Sequence, residues 1–286
     1  MIAVTGASGH LGRLTVLALL ERGIPAQNIV AIARTPSKAT DLAEKGVVVR
    51  EGDYTKPNTL DAALSGVEKL LLVSASEVGQ RAPQHAAVIQ AAKKAGVKLL
   101  AYTSILHGDQ SPLALAKEHI ATERAIKDSG LPYVFLRNGW YHENYTGNLA
   151  SSLAHGFAGS AGEGRIAGAA RSDFAAAAAT VLTSSGHEGK AYELGGTAFT
   201  MPEFVAEVAK QTGKELSYAN LPPEAYRDIL VGAGLPVPVA EILVDADVQI
   251  AKGALDDASG DLERLVGRPL VPLSDSVAKA LAALNG

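Results

Sequence analysis

The stretch Thr5-Gly6-Ala7-Ser8-Gly9-His10-Leu11-Gly12 decides how the rest of the chain is read. The apolar run Ile2–Thr5, a strand, leads into it, and a helix over His10–Arg22 leaves it. Its glycines fall at spacings of three. Gly6 can make a tight turn, Gly9 lets the backbone approach a pyrophosphate, and Gly12 lets helix pack closely on strand. The helix N-terminus then offers free N–H groups and a positive dipole end to the phosphates. Three glycines in a βα turn can also be no more than a tight turn. Position in the first of several βα units favours a dinucleotide, held by Gly6, Ala7, Ser8, Gly9, His10, Leu11 and Gly12.

Outward from this turn, short apolar runs alternate with amphipathic stretches. Strands are expected at Ile29–Ala33, Val47–Arg50, Leu70–Val73, Leu99–Thr103 and Tyr133–Leu136. Helices are expected at Ser37–Glu44, Asn58–Leu64, Pro83–Ala95 and Leu113–Ser129, with Gly23, Gly96 and Gly130 as C-terminal caps. The strands are continuously apolar, which suits a parallel sheet covered on both faces. The pattern predicts an α/β fold, a doubly wound (Rossmann) and mostly parallel sheet, with its ligand at the carboxyl ends of the strands. After Gly139 the rhythm changes. Phe157–Arg171 reads as loops and short strands, Ser172–Ser184 as an Ala-rich helix and Ala191–Leu194 as a seventh strand. A helix over Pro202–Thr212, a strand over Glu215–Ala219 and mostly helical structure to Leu284 complete the chain. The expected division is a dinucleotide-binding domain over 1–139 and a smaller α/β lobe over 140–286, with about 172–196 returning to the main sheet.

Composition narrows the chemistry. The 286 residues carry a net charge of −4, and no run of five or six like charges suggests a nucleic-acid partner. Cysteine is absent, which excludes disulfides, thiol nucleophiles, iron–sulfur clusters and thiolate zinc sites. Electrons for any redox step must come from a bound cofactor. Apolar windows such as Lys69–Ser74 and Phe174–Leu182 are far shorter than a bilayer span, and no signal-like start is evident. A cytoplasmic protein without a membrane span is expected, and a homo-oligomer is compatible with the chain.

The residue ending the second strand distinguishes the nicotinamide cofactors. Here it is Arg34, 22 residues beyond Gly12, with no acidic residue before Asp41. A cation there accommodates a 2′-phosphate, so NADPH is preferred and NADH remains admissible. The bland alternative is a solvated surface arginine. Arg13 and Lys38 are weaker candidates for the same phosphate. Asp53, closing the third strand, can accept from the adenine amine or cap the next turn. Ser74-Ala75-Ser76 lies on the same edge and leaves room for a ribose, or is a plain serine-rich turn.

With these elements in place, the sequence resembles the NmrA-like, atypical branch of the short-chain dehydrogenase/reductase superfamily. The likeness rests on Gly6-x-x-Gly9-x-x-Gly12, Gly52-Asp53-Tyr54, Ala101-Tyr102-Thr103-Ser104, Glu123, Leu136-Arg137-Asn138-Gly139 and Asp261–Arg268. Within that branch, Ser76–His85 and Arg137–Tyr145 are similar to the bacterial type 2 NAD(P)H:quinone oxidoreductases; dye reductases are more distant. The resemblance implies NADPH-dependent reduction of a small-molecule quinone, and it adds Gln80, Thr103 and Asn138 to the cofactor contacts. One departure is informative. None of the eight tyrosines has Lys four residues on, so the superfamily's Tyr-x-x-x-Lys pair is missing. The register set by Glu123 puts Leu115 and His119 in its place. A ketone needs a matched proton donor; a quinone yields a stabilised hydroquinone anion that solvent can protonate.

After the sixth strand, Asn138-Gly139-Trp140-Tyr141 sits where nicotinamide is expected. Asn138 can bond the carboxamide or the acceptor, and Trp140 and Tyr141 offer flat faces to a ring. The alternative for Trp140 is a core filler under the second lobe. Tyr141 and His119 are candidates to supply or relay a proton, with Ser104 and His107 as further substrate contacts. No metal site is expected: the single His-x-x-x-Glu, His119 and Glu123, lacks further ligands. No flavin is expected. The expectation is direct hydride transfer; the rivals are reduction of another flat acceptor, such as a dye or an unsaturated carbonyl compound, and an NADP-sensing regulator that performs no reduction.

Overall fold

A computed structural model describes residues 1–77 and 79–285. Val78, within the Ser76–His85 run quoted above, and Gly286 lie outside the described residues. The first half runs β1 (Ile2–Val4), α1 (His10–Glu21), β2 (Ile29–Ala33), α2 (Thr40–Ala43), β3 (Val48–Glu51), α3 (Pro57–Ala63), β4 (Lys69–Leu72), α4 (Arg81–Ala95), β5 (Leu99–Ile105), α5 (Ala116–Ser129) and β6 (Tyr133–Asn138). The second half continues with α6 (Glu143–Thr146), α7 (Leu149–His155), β7 (Phe157–Gly159), β8 (Ile166–Ala167), α8 (Arg171–Thr183), β9 (Lys190–Leu194), β10 (Ala198–Phe199) and α9 (Met201–Thr212). It ends with β11 (Tyr218–Asn220), α10 (Pro223–Gly232), α11 (Val237–Ile250), α12 (Asp261–Val266) and α13 (Leu273–Asn285).

Seven strands form one parallel sheet in the order β3-β2-β1-β4-β5-β6-β9. The order reverses between β1 and β4, the doubly wound arrangement that opens a crevice at the carboxyl ends. The continuous apolar runs are explained by burial on both faces. In β4, Leu71 packs into one core layer, while Leu70 and Leu72 pack into the opposite one. Each fully buried leucine contributes about 1.5–3 kcal/mol by leaving water. The helices end where the glycines predict: Gly23, Gly96 and Gly130 all take positive φ.

The second half has its own core, around Phe157, Ile166, Phe199, Phe204 and Ile250. Two small sheets frame it, β7 with β11 in parallel and β8 with β10 antiparallel. β9 pairs with β6 in the main sheet, and α8 packs on α1. Several boundaries differ from the sequence reading, and two of the shifts have a clear physical cause. The helix expected from Leu113 begins at Ala116, because Leu113 is buried in the lobe core and Ala114 N–H donates to Asp245 Oδ2 at 2.8 Å. The strand expected over Glu215–Ala219 is shifted to Tyr218–Asn220 by its pairing with Phe157–Gly159.

Candidate active site

The turn after β1 is built by backbone. Gly6 has φ +60°, a left-handed conformation that a side chain disfavours. Gly9 N–H donates to Gly6 O at 2.9 Å and closes the turn. A Cβ on Gly12 would collide with Gly6 O, so only glycine lets α1 approach the turn. No side chain caps the start of α1, and its first turn carries no acidic residue. Its leading N–H groups therefore remain available to an anion. Gly6, Ser8, Gly9, His10, Leu11 and Gly12 line a cavity of about 270 Å³ together with Arg34, Asp53 and Ser74–Glu77. An uncapped helix start with a cation across the cavity fits an anionic dinucleotide. Ala7 is buried beneath the turn, its N–H bonded to Ile32 O.

Arg34 is exposed and pairs with Glu77, Nη1 to Oε1 at 2.9 Å; Glu77 also accepts from Gln84 Nε2 at 2.7 Å. A pair this exposed is worth at most about 1 kcal/mol, so a phosphate can displace it. Arg13 is engaged elsewhere, with Asp41 and Lys38 O. Asp53 lines the cavity but caps the next turn: its Oδ1 accepts from Thr55 N–H and Oγ1 at 2.9 and 2.8 Å, which lowers its pKa. Gln80 is exposed and outside the cavity lining, whereas Gln84, one helical turn on, lines it. Thr103 stands behind the lining, where its Oγ1 accepts from Ser74 N–H at 2.9 Å. Sequence reasoning missed Glu77 and Gln84, and also Thr5. The Thr5 hydroxyl stitches β1 to β4 by donating to Leu71 O and accepting from Val73 N–H and the Tyr54 hydroxyl. A threonine immediately before the glycine turn was the only available signal.

At the end of β6, Asn138 is 6% exposed and its Oδ1 is a buried acceptor without a partner. Its Nδ2 lies 3.4 Å from Tyr141 Oη. Tyr141 packs edge-on against Phe174, and the Arg171 guanidinium lies 4.7 Å from its ring centre. Burial pushes the Tyr141 hydroxyl above the usual phenol range. Tyr141 forms a single parallel bridge to Ala169: Ala169 N–H donates to Trp140 O at 3.1 Å and His142 N–H donates to Ala169 O at 2.9 Å. Trp140 packs into the lobe core and Tyr141 against the main-sheet core. The two flat faces expected beside the nicotinamide therefore belong to different cores, and Trp140 packs as the core filler that was its alternative reading. Gly139 allows contact rather than space, since its Cβ would meet Ala167 O at 2.6 Å.

Three further sequence candidates lie in closed networks. The Ser104 hydroxyl donates to Glu123 Oε1 at 2.6 Å, and Arg137 bridges Glu123 to Glu193. His107 has φ +66°, its N–H donates to Glu193 Oε2 at 2.7 Å, and its Nε2 lies 2.9 Å from Asp256 O. His119 is 7% exposed, with Nδ1 2.8 Å from Tyr102 Oη. Burial pushes its pKa down to about 3, so it is neutral near pH 7 and has no imidazolium proton to supply. Among the described residues, no group of three or more His, Cys, Asp or Glu could hold a metal ion.

Comparison with known proteins agrees with this geometry. Residues 6–185 match a family model described as NAD(P)H-binding. The chain is 53% identical to quinone oxidoreductase 2 of Escherichia coli (strain K12), over 97% of each protein. The crystal structure of an NADPH-dependent quinone oxidoreductase from Escherichia coli, complexed with NADPH, matches with TM-score 0.95 and 52% identity, covering 98% of this chain and 100% of that one. Triphenylmethane reductase from Citrobacter sp., complexed with NADP(H), matches with TM-score 0.92 and 40% identity over 98% of this chain and 100% of that one. The chain belongs to the NAD(P)H-binding family.

Proposed function

We propose that the chain reduces quinones with NADPH by direct hydride transfer, without a flavin. The observation that carries the reading is the near-full-length identity to a quinone oxidoreductase, over a chain whose own glycine turn and Arg34 fit NADPH. When bound, NADPH supplies the hydride. The leading N–H groups of α1 would hold the pyrophosphate, and Arg34 would exchange Glu77 for the 2′-phosphate. Ser74, Ala75 and Ser76 border the ribose. Asn138 Oδ1, a buried acceptor without a partner, would accept from the carboxamide. Asn138 Nδ2 donates weakly to Tyr141 Oη, which leaves the phenol proton free for an acceptor oxygen. Because burial raises the Tyr141 pKa, the hydroxyl donates a hydrogen bond but keeps its proton. The hydroquinone oxygens then take protons from water, which is why the missing Tyr-x-x-x-Lys pair is tolerated.

The smaller lobe, 140–286, is assigned to shaping the acceptor site, with about 172–196 belonging to the main sheet. No helix among the described residues is long and apolar enough to cross a membrane, and we place the chain in the cytoplasm. Self-association is left to direct measurement of mass in solution. A second acceptor class, the triphenylmethane dyes, is favoured by the 40% identity to a triphenylmethane reductase. The test is purified, flavin-free protein mixed with NADPH and 1,4-benzoquinone, followed at the reduced-nicotinamide absorbance. Oxidation that requires both protein and quinone is expected. NADPH binding without quinone-dependent oxidation would overturn the reading in favour of a sensor.

A further inference from the structure

Behind the cofactor cavity one imidazole is fully enclosed. His85, on α4, has no exposed surface. Its Nε2 lies 2.9 Å from Ala75 N, and its Nδ1 lies 2.8 Å from Thr122 Oγ1 on α5. A backbone N–H only donates, so Nε2 carries no proton and Nδ1 donates to Thr122. The Thr122 hydroxyl passes the chain on by donating to Glu118 O at 2.9 Å. One tautomer is thus fixed from both sides. The rings of Tyr54 and Tyr102 pack edge-on against the imidazole, with centres 6.2 and 5.5 Å away, and fix its orientation.

Ala75 lies in the segment that lines the cavity. Its carbonyl accepts from Arg81 Nε at 2.6 Å, while Ser74 N–H is held by Thr103. Three backbone atoms of two adjacent residues are therefore gripped from the side away from the cofactor. Such a segment meets its ligand already ordered and loses little freedom on binding. We infer that His85 is a positioning residue for the nicotinamide cofactor, which holds the Ser74–Ser76 segment in its binding shape through Ala75. This rests on the proposed use of NADPH. Arg34 holds the 2′-phosphate at a different edge of the cavity, so loss of His85 weakens NADPH and NADH by the same factor.

The test is titration of the full chain with NADPH and with NADH, unmutated and as His85→Leu and His85→Gln. Leucine leaves the Ala75 N–H without its acceptor, and both cofactors weaken roughly tenfold. Glutamine offers Oε1 to that N–H and recovers affinity to within about threefold of the unmutated chain. In the leucine variant KM for NADPH rises by more than kcat falls. Equal affinity in the two variants would mean that His85 only fills space, and would overturn the inference. So would a leucine effect confined to NADPH. If the leucine variant does not fold, 15N spectroscopy of the unmutated chain decides: a bare Nε2 coupled to the Ala75 amide nitrogen is expected, and a protonated Nε2 overturns it. An unmutated chain that binds neither cofactor would instead defeat the proposed function itself.

Discussion

Two polar regions lie along the carboxyl ends of the same sheet, and they are built in opposite ways. At β1 the groups offered to a ligand are backbone, the glycine turn and the uncapped start of α1, and the Ser74–Ser76 segment after β4 lines the same cavity. At β5, β6 and β9 the polar groups are side chains closed on one another, Ser104, Glu123, Arg137 and Glu193. The start of α1 keeps its N–H donors in reserve for a ligand. The second region consumes its donors internally and ties three strands and α5 together. Adjacent strand ends can therefore be divided between binding and cohesion, and substitutions in the two should have separable effects.

The largest effect is expected in the backbone-built region. Gly12→Val would drive a side chain into Gly6 O and Thr5 O. We expect loss of the folded turn, at least about 3 kcal/mol in denaturant unfolding, and no measurable NADPH binding. Arg137→Met tests the other region. It leaves Glu123 buried without its cation and should cost about 3–5 kcal/mol of stability. NADPH affinity of the folded fraction should be nearly unchanged; a large loss would mean that the network belongs to the binding site.

Acid tests the helices behind the sheet. Burial lowers the pKa of His85 to about 4 and of His119 to about 3. The unfolded chain takes up these protons first, so stability is complete above about pH 6.5 and falls as pH drops toward the folded values, by up to roughly 3 kcal/mol for His85 and roughly 5 kcal/mol for His119. Asp247, raised by burial to about 6, acts in the opposite sense but is a single group. Denaturant midpoints should fall between pH 7 and pH 5. Arg34→Ala should weaken NADPH by about 1.5–3 kcal/mol, or roughly tenfold to a hundredfold, and leave NADH nearly unaffected. Tyr141→Phe is the smallest: kcat with a quinone should fall about threefold to tenfold, for one lost hydrogen bond.

The same contrast explains what the sequence disclosed. Gly6, Gly9 and Gly12 act through the absence of a side chain, so their spacing alone announces the turn. The place of Arg34 at the cavity was legible because the end of a second parallel strand has a fixed place in a doubly wound sheet. The networks of Ser104 and His107 were not legible because their partners, Glu123, Glu193 and Asp256, come from distant segments. Trp140 and Tyr141 are neighbours in sequence, yet they pack into different cores. His85 stood in plain view within a quoted run, but its role depends on Ala75 and Thr122, which only folding brings to it.

The most direct test of hydride transfer from the backbone-built region is a single turnover. Flavin-free protein is loaded with NADPH carrying deuterium at the transferred position and mixed with 1,4-benzoquinone. The account predicts slower nicotinamide oxidation than with ordinary NADPH, and no reduced-flavin absorbance. Oxidation only after flavin is added, or equal rates with hydrogen and deuterium, would contradict it.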